Sequence, residues 1–100
     1  MEGRIIVKST ETSRDDNGYI YYRGELFSGV EQWFYDDGTL GSETEYLDGI
    51  ADGCGKWWYK NGQLGGEKFY KKGRVDGMVK EWFEDGRLKS AKEIHAGKSM

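Results

Sequence analysis

The chain carries few side chains of the kinds that catalyse reactions or bind metals. Cys54 is the only cysteine and His95 the only histidine, and neither has further ligands at the spacing that zinc sites use. A reactive thiol needs a histidine or a helix N-terminus beside it, and the residues around Cys54 supply neither. We therefore expect Cys54 to be a small buried hydrophobic residue and His95 to be a solvated surface residue.

Acidic pairs and glycine-rich segments also lack the context that chemistry requires. Asp36-Asp37-Gly38 has neither the alternate ligands nor the distal glutamate of a calcium loop. Glu43 and Glu45 could form the carboxylate pair of a glycosidase, but alternate residues of a strand share a face without any catalytic reason. The glycines between residues 53 and 66 lack the strand-to-helix setting of a phosphate loop. The sequence predicts no enzyme activity, no cofactor and no metal.

The strongest pattern is an internal repeat with a period of 24 residues. An aromatic cluster lies between the first two glycines of each unit and a leucine follows the second glycine. A fixed period of this kind is typical of repeat architectures. The aligned glycines are Gly29, Gly53 and Gly77; Gly38, Gly62 and Gly86; and Gly49, Gly73 and Gly97.

Each unit is expected to form a β-hairpin. Aromatic residues favour strands, and each cluster leads directly into Asp37-Gly38, Asn61-Gly62 or Asp85-Gly86, which suit a two-residue type I′ turn. The return strands are predicted at residues 40–46, 64–70 and 88–94, and residues 49–53 and 73–77 connect the units. Asn17-Gly18 offers a further turn, joining residues 4–9 to residues 19–23.

Turn length decides which side chains share a face. With two-residue turns, Tyr35 is opposite Leu40, and Trp33 and Trp57 lie on the main apolar face. Phe34 and Trp58 then cover Gly41 and Gly65 on the other face, where Lys56 is opposite Glu67. A three-residue turn with a bulge shifts the register by one residue and exchanges the faces. We expect the two-residue register.

The predicted fold is all-β, an antiparallel meander of repeated hairpins that forms an elongated single twisted sheet. Residues 1–100 form one domain, in which residues 1–28 are an atypical N-terminal cap. The repeats are residues 29–52, 53–76 and 77–100.

The repeat resembles the MORN type, and more closely the variant MORN proteins of the YwqK-type antitoxin and immunity family. The shared signature is Gly-x-x-x-Trp-[Phe/Trp]-Tyr-x-[Asp/Asn]-Gly-x-Leu-x-x-Glu-x-x-Tyr-x-x-Gly, present at residues 29–49 and 53–73. A degenerate copy at residues 77–97 departs from it at Glu81 and Ala91. The resemblance implies a bacterial cytoplasmic protein that neutralises a toxin by binding it, the toxin being encoded by a neighbouring gene. The alternative is a MORN-like scaffold or membrane-surface module without a toxin partner.

Two sets of residues are candidates for partner binding because they exceed what folding needs. Aromatic side chains dominate the energy of protein interfaces, and acidic side chains can dock into a basic substrate groove of a toxin. Residues 1–52 hold 12 acidic and 4 basic residues, whereas residues 53–100 hold 6 acidic and 11 basic residues. The candidates are Phe34, Trp58 and Trp82, and the acids Asp36, Asp37, Glu43 and Glu45.

Composition limits the other partners. The net charge of −3 opposes contact with a nucleic-acid backbone, no apolar run approaches a membrane span, and Lys71, Lys72 and Arg74 are too few for anionic lipid. A single cysteine and the absence of a signal peptide favour the cytoplasm. The ends of an open sheet present unpaired backbone, which would permit a homodimer through sheet edges.

Overall fold

The computed structural model describes residues 5–94, whose regular secondary structure is almost entirely β-strand. A short 3-10 turn at Ser9–Glu11 follows the first strand. The strands are β1 (Ile6–Lys8), β2 (Thr12–Arg14), β3 (Ile20–Tyr22), β4 (Glu25–Leu26), β5 (Gly29–Phe34), β6 (Leu40–Leu47), β7 (Ile50–Trp58), β8 (Leu64–Lys71), β9 (Arg74–Val75), β10 (Gly77–Trp82) and β11 (Leu88–Ile94).

The main sheet has the strand order β1-β5-β6-β7-β8-β10-β11, and β9 also pairs with β8. All neighbours from β5 onward are antiparallel, so the predicted all-β meander of hairpins is confirmed. Only β1 is parallel to its neighbour, β5. The molecule measures 40 × 39 × 32 Å along its principal axes, so it is about as wide as it is long.

The N-terminal segment does not form the predicted hairpin. Strand β2 pairs with β3 around a turn at residues 15–18, and β3 pairs with β4, which makes a separate three-stranded sheet. The predicted pairing of residues 4–9 with residues 19–23 is therefore wrong. The predicted turn at Asn17-Gly18 does form. The Asp15 carboxylate accepts bonds from the backbone N–H groups of Asn17 and Tyr19, and the strand that leads into this turn is β2, not β1.

The hairpin turns have three residues instead of two. Tyr35 N–H donates to the Thr39 carbonyl and Gly38 N–H donates to the Tyr35 carbonyl, and only Gly38 has a positive φ, of 91°. A type I turn with a glycine bulge needs one positive φ, whereas a type I′ turn needs two. The same bonds recur at Tyr59 and Phe83. The preferred pairing of Tyr35 with Leu40 is wrong, since Phe34 is opposite Leu40.

A second irregularity restores the predicted register further from the turn. Strands β5 and β6 shift by one residue between Trp33 and Phe34, and the other two hairpins shift at the equivalent place. Lys56 is consequently opposite Glu67, as predicted. The predicted pairing is therefore correct for the body of the hairpins and wrong for their turns.

Type I′ turns occur in the segments that were predicted as connections. Asp48 and Gly49 have φ of 51° and 83°, and Lys72 and Gly73 have φ of 52° and 85°. Strand β7 starts directly after the first of these turns, so residues 50–53 are strand and not connection. Gly53 and Gly77, with φ of 115° and 117°, lie at bulges that follow, which explains why these positions repeat as glycine.

The register defines two faces of the main sheet, because residues opposite each other point to the same side. We call the side of Phe34, Glu43 and Trp58 the open face. The other side carries Val7, Glu31, Tyr46, Trp33 and Trp57, and we call it the capped face. The small sheet packs there through Ile20, Phe27 and Tyr22, and through a bond of 2.6 Å from the Thr12 hydroxyl to Glu31.

On the capped face, tryptophan rings lie over bare glycine backbone. A methyl group added to Gly41 would overlap the indole of Trp33, and one added to Gly65 would overlap that of Trp57. These glycines were predicted under Phe34 and Trp58, which is wrong because of the shift in register. In the third unit the equivalent residues are Glu81 and Lys89, so the tryptophan and the glycine are replaced together.

Tyrosine hydroxyls join each hairpin to the next one. The Tyr35 hydroxyl donates to the Trp58 carbonyl, and the Tyr59 hydroxyl donates to the Trp82 carbonyl over 2.9 Å. Each tyrosine ring also packs edge-on against the tryptophan two residues before it, with centroids 4.9 and 4.8 Å apart. The third unit has Phe83 at this position, which has no hydroxyl to donate.

The buried apolar core of residues 5–94 is small. It consists of Val7, Ile20, Phe27, Val30 and Val79. Half-buried cross-strand pairs, each contributing roughly 0.2–1 kcal/mol, must therefore provide much of the stability of the sheet.

The tryptophan-on-glycine contact makes a prediction for a double-mutant cycle. We expect Gly65→Ala to cost about 1–3 kcal/mol of unfolding free energy, because the new methyl group displaces the Trp57 indole. In a Trp57→Ala background the same change should cost about 0.5 kcal/mol or less, since no ring remains to be displaced. Urea unfolding followed by circular dichroism measures both values. An equal cost in the two backgrounds would contradict the contact.

Candidate functional site

The open face carries an aromatic row at the turn end of the sheet. Phe34 and Trp58 are opposite Leu40 and Leu64, and Trp82 is opposite Leu88. The three predicted aromatic residues thus share one face, and they lie on alternate strands, about 9.6 Å apart in backbone spacing. All three are half-buried. We call this set, with its leucines, the aromatic row.

A charged row crosses the open face beside the aromatic row. Each member lies opposite the next one on the neighbouring strand. The charges of four consecutive members, from Glu43 to Lys80, alternate in sign. The Gln32 amide donates to Glu43 over 2.8 Å, and Lys56 lies 4.0 Å from Glu67. The order across the sheet is Lys8, Gln32, Glu43, Lys56, Glu67 and Lys80. The row gives the apolar strip a polar border with little net charge.

A cleft of about 420 Å³ lies at the edge of the sheet where the aromatic row ends. Lys8, Thr10, Gln32 and Phe34 are among its lining residues, and the Lys8 ammonium lies 5.8 Å from the centre of the Phe34 ring. The cleft exists because β1 ends at Lys8 and leaves the last residues of β5 without a neighbouring strand on that side.

The acidic candidates at the turn have different local roles. Asp36 is almost fully exposed and forms an ion pair of 3.1 Å with Lys60 of the next turn. Asp37 accepts bonds from the Thr39 hydroxyl at 2.7 Å and from the Thr39 N–H at 3.0 Å. These bonds, the hydroxyl first, lower the pKa of Asp37 from its ordinary value of 3.8. Asn61 and Asp85 make the equivalent backbone bond in the other turns, so this position shapes the turn.

Glu45 also has a structural partner. Its Oε1 accepts a bond of 2.8 Å from the backbone N–H of Cys54, and a methyl group on Gly53 would overlap its carboxylate. Glu45 therefore stabilises the bulge before Cys54. Asp36 and Glu43, by contrast, contact side chains, namely those of Lys60 and Gln32.

The acidic residues of the first half do not gather into one patch. Asp36 and Asp37 lie at the hairpin-turn end of the strands, whereas Asp48 and Asp52 lie at the opposite end, and Asp52 accepts a bond from the backbone N–H of Lys72. The excess of acids in residues 1–52 is therefore spread over both ends of the sheet.

Cys54 is half-buried on the open face, less buried than expected. Desolvation by burial raises the pKa of its thiol, with the carboxylate of Glu67 nearby adding to the effect. A raised pKa disfavours the nucleophilic thiolate. His95 lies outside the described residues. Among residues 5–94 no group of three or more His, Cys, Asp or Glu side chains could hold a metal ion.

The sequence did not identify Trp33 and Trp57 as surface residues, because it placed them on the main apolar face. Their exposed fractions are 45% and 37%, the largest among the tryptophans. In the third unit Glu81 and Lys89 replace the tryptophan and the glycine together. This joint replacement was the sequence signal that the tryptophan packs on the glycine.

Comparison with known proteins supports the repeat class. The model of the MORN repeat variant matches residues 27–48 and 51–72, which are two adjacent units. No curated protein and no solved structure matches the chain. Within residues 5–94 no helix is long and apolar enough to cross a membrane. MORN repeats are typical of repeat scaffolds and interaction modules.

The Asp37 turn makes a prediction about pH. Because the folded-state pKa of Asp37 lies below 3.8, its contribution to stability is present above that pH and is lost as the pH falls through the folded value. Asp37→Asn keeps the backbone bond, as Asn61 shows, and should reduce the loss of thermal stability in acid. Asn61→Asp is the reciprocal variant and should increase it. Melting temperatures measured from neutral to acidic pH test both, and identical pH profiles for all three proteins would contradict the assignment.

Proposed function

We propose that the protein is an antitoxin of a bacterial toxin–antitoxin or immunity system, which neutralises a toxin by binding it through the open face. The observation that carries the proposal is the aromatic row with its charged border. The resemblance to YwqK-type proteins supplies the class of partner. On this proposal the protein acts in the cytoplasm, performs no catalysis, and contacts neither nucleic acid nor membrane directly.

The aromatic row has the composition of an interface centre. Protein interfaces combine an apolar core, rich in aromatic anchors, with a polar rim that excludes water. The six strands from β5 to β11 are separated by five spacings, which gives the row a length of about 24 Å and suits an interface of ordinary size. The cleft beside Phe34 can receive a side chain of the partner at the end of the row.

Only a few acidic residues near the aromatic row favour a basic partner. Asp36 and Glu43 remain as acids that could meet a basic substrate groove, since Asp37 and Glu45 hold the backbone. Glu43→Lys is therefore a cleaner test of electrostatic steering than a change at Glu45. Steering acts chiefly on the association rate and weakens with salt.

A growth assay tests the proposal with a matched pair of variants. The gene beside this one is expressed alone and together with this protein, and we expect growth arrest in the first case and growth in the second. Trp82→Ala removes an anchor of the row and should weaken protection and binding by about tenfold or more. Phe83→Ala changes the next residue, which points to the capped face, and should leave protection unchanged.

The controls separate loss of binding from loss of folding. Circular dichroism and gel filtration should show that both variants remain folded. The proposal fails if neighbouring genes cause no arrest, or if Phe83→Ala and Trp82→Ala reduce protection equally while folded. Flotation of the protein with anionic liposomes through Lys71, Lys72 and Arg74 would instead favour the membrane-surface alternative.

A further inference from the structure

A second cross-strand row lies on the capped face, two residues nearer the hairpin turns than Glu31, to which the small N-terminal sheet bonds. Its members are directly opposite one another from β5 to β11. Two tryptophans and one glutamate occupy alternate strands, with small residues between them. The order is Trp33, Ser42, Trp57, Gly66, Glu81 and Ser90.

The two indole rings are held as flat surfaces. The Trp57 ring lies across Gly65 and Gly66, where an added methyl group would overlap it, and the Trp33 ring lies on Gly41 in the same way. One side of each ring therefore contacts backbone, while the residues Trp33 and Trp57 remain 45% and 37% exposed. The edge contacts with Tyr35 and Tyr59 fix the ring orientation, so little conformational entropy is lost on binding.

Each of these rings also offers a hydrogen-bond donor. Within residues 5–94, neither indole N–H of Trp33 or Trp57 donates to a protein atom. Both residues are exposed, so their N–H groups remain to donate to water or to a ligand. A ligand that stacks on the rings and carries exposed carbonyl groups would use them.

We propose that this row binds a proline-rich segment of another protein in the polyproline II conformation. That helix has three residues per turn and rises about 3.1 Å per residue, so every third residue faces the same side at intervals of about 9.3 Å. Trp33 and Trp57 are two strands apart, which is about 9.6 Å. Two prolines spaced three residues apart would stack on the two rings, and the free carbonyls of the helix would accept from the indole N–H groups.

Glu81 extends the match by one more turn of the ligand. It occupies the next alternate strand, where a residue three positions beyond the second proline would lie, and its carboxylate suits an arginine or lysine there. The Ser90 hydroxyl donates to Glu81 over 3.5 Å, and Lys68 and Lys92 line the same cleft as Glu81. Glu81 is the one acidic residue of the row, and these lysines weaken its attraction for a basic residue of the ligand. Residues 1–100 contain no proline, so no segment of this sequence can be the ligand.

Other ligands with flat faces fit the row less well. Oligosaccharides need several hydroxyl or amide partners beside the rings, but the Tyr35 and Tyr59 hydroxyls already donate to backbone carbonyls, which leaves Ser42 as the one hydroxyl of the row between the two rings. Single-stranded nucleic acid would meet Glu81 and a net charge of −3. The capped face is opposite to the open face, so this binding does not depend on the proposed toxin.

Titration by nuclear magnetic resonance tests the proposal, because the four tryptophans give four separate indole N–H signals. The probe is a synthetic peptide of about 12 residues, which spans four turns of polyproline II, with two proline-x-x-proline units followed by arginine. Its matched control has alanine in place of every proline. We expect the signals of Trp33 and Trp57 to shift with the first peptide and those of Trp58 and Trp82 to stay in place.

Two protein variants report on the predicted contacts. Glu81→Gln should weaken binding of the arginine peptide about threefold to tenfold at low salt and leave binding of a peptide without arginine unchanged. Glu67→Gln, a matched change on the open face, should have no effect. The proposal is overturned if no indole signal shifts at about 1 mM peptide, if the alanine peptide binds equally, or if shifts occur only with cellohexaose or oligothymidylate.

Discussion

The contact between an indole ring and bare glycine backbone is the interaction on which the main sheet depends. Trp33 over Gly41 and Trp57 over Gly65 cover the backbone of a neighbouring strand where no side chain could fit. The tyrosine that packs edge-on against each ring then donates its hydroxyl to the following hairpin. One cluster therefore closes its own hairpin and attaches the next one, which lets a sheet with a very small apolar core hold together.

The repeat made most of the fold predictable. Glycine, tryptophan and leucine columns at a period of 24 residues identified the hairpins, their order and the pairing of Lys56 with Glu67. Turn type could not be read from the sequence, because Asp-Gly serves a type I′ turn and equally the end of a type I turn with a bulge. Asp37 resolves the choice through its bond to Thr39, a contact that depends on the conformation already formed.

The same ambiguity in turn type explains which features of the candidate site were predicted correctly. Alternation along a strand placed Phe34, Trp58 and Trp82 on one face, and this holds in either register because the three residues are equivalent. The partners of these rings changed with the register, so the glycines belong to the other aromatic set. The roles of Asp37 and Glu45 were not predictable, since their backbone bonds arise at a turn and a bulge. Both faces consequently present ordered aromatic rows at the same end of the sheet, which agrees with an interaction module of the MORN type.

The most direct measurement of this account is the pattern of nuclear Overhauser effects between aromatic rings and glycine α-protons. Contacts from Trp33 to Gly41 and from Trp57 to Gly65 and Gly66 are expected, with those glycine protons shifted upfield by the rings. Contacts from Phe34 to Gly41 and from Trp58 to Gly65 would instead establish the two-residue register. That result would remove the tryptophan-on-glycine cluster and exchange the residues of the two faces.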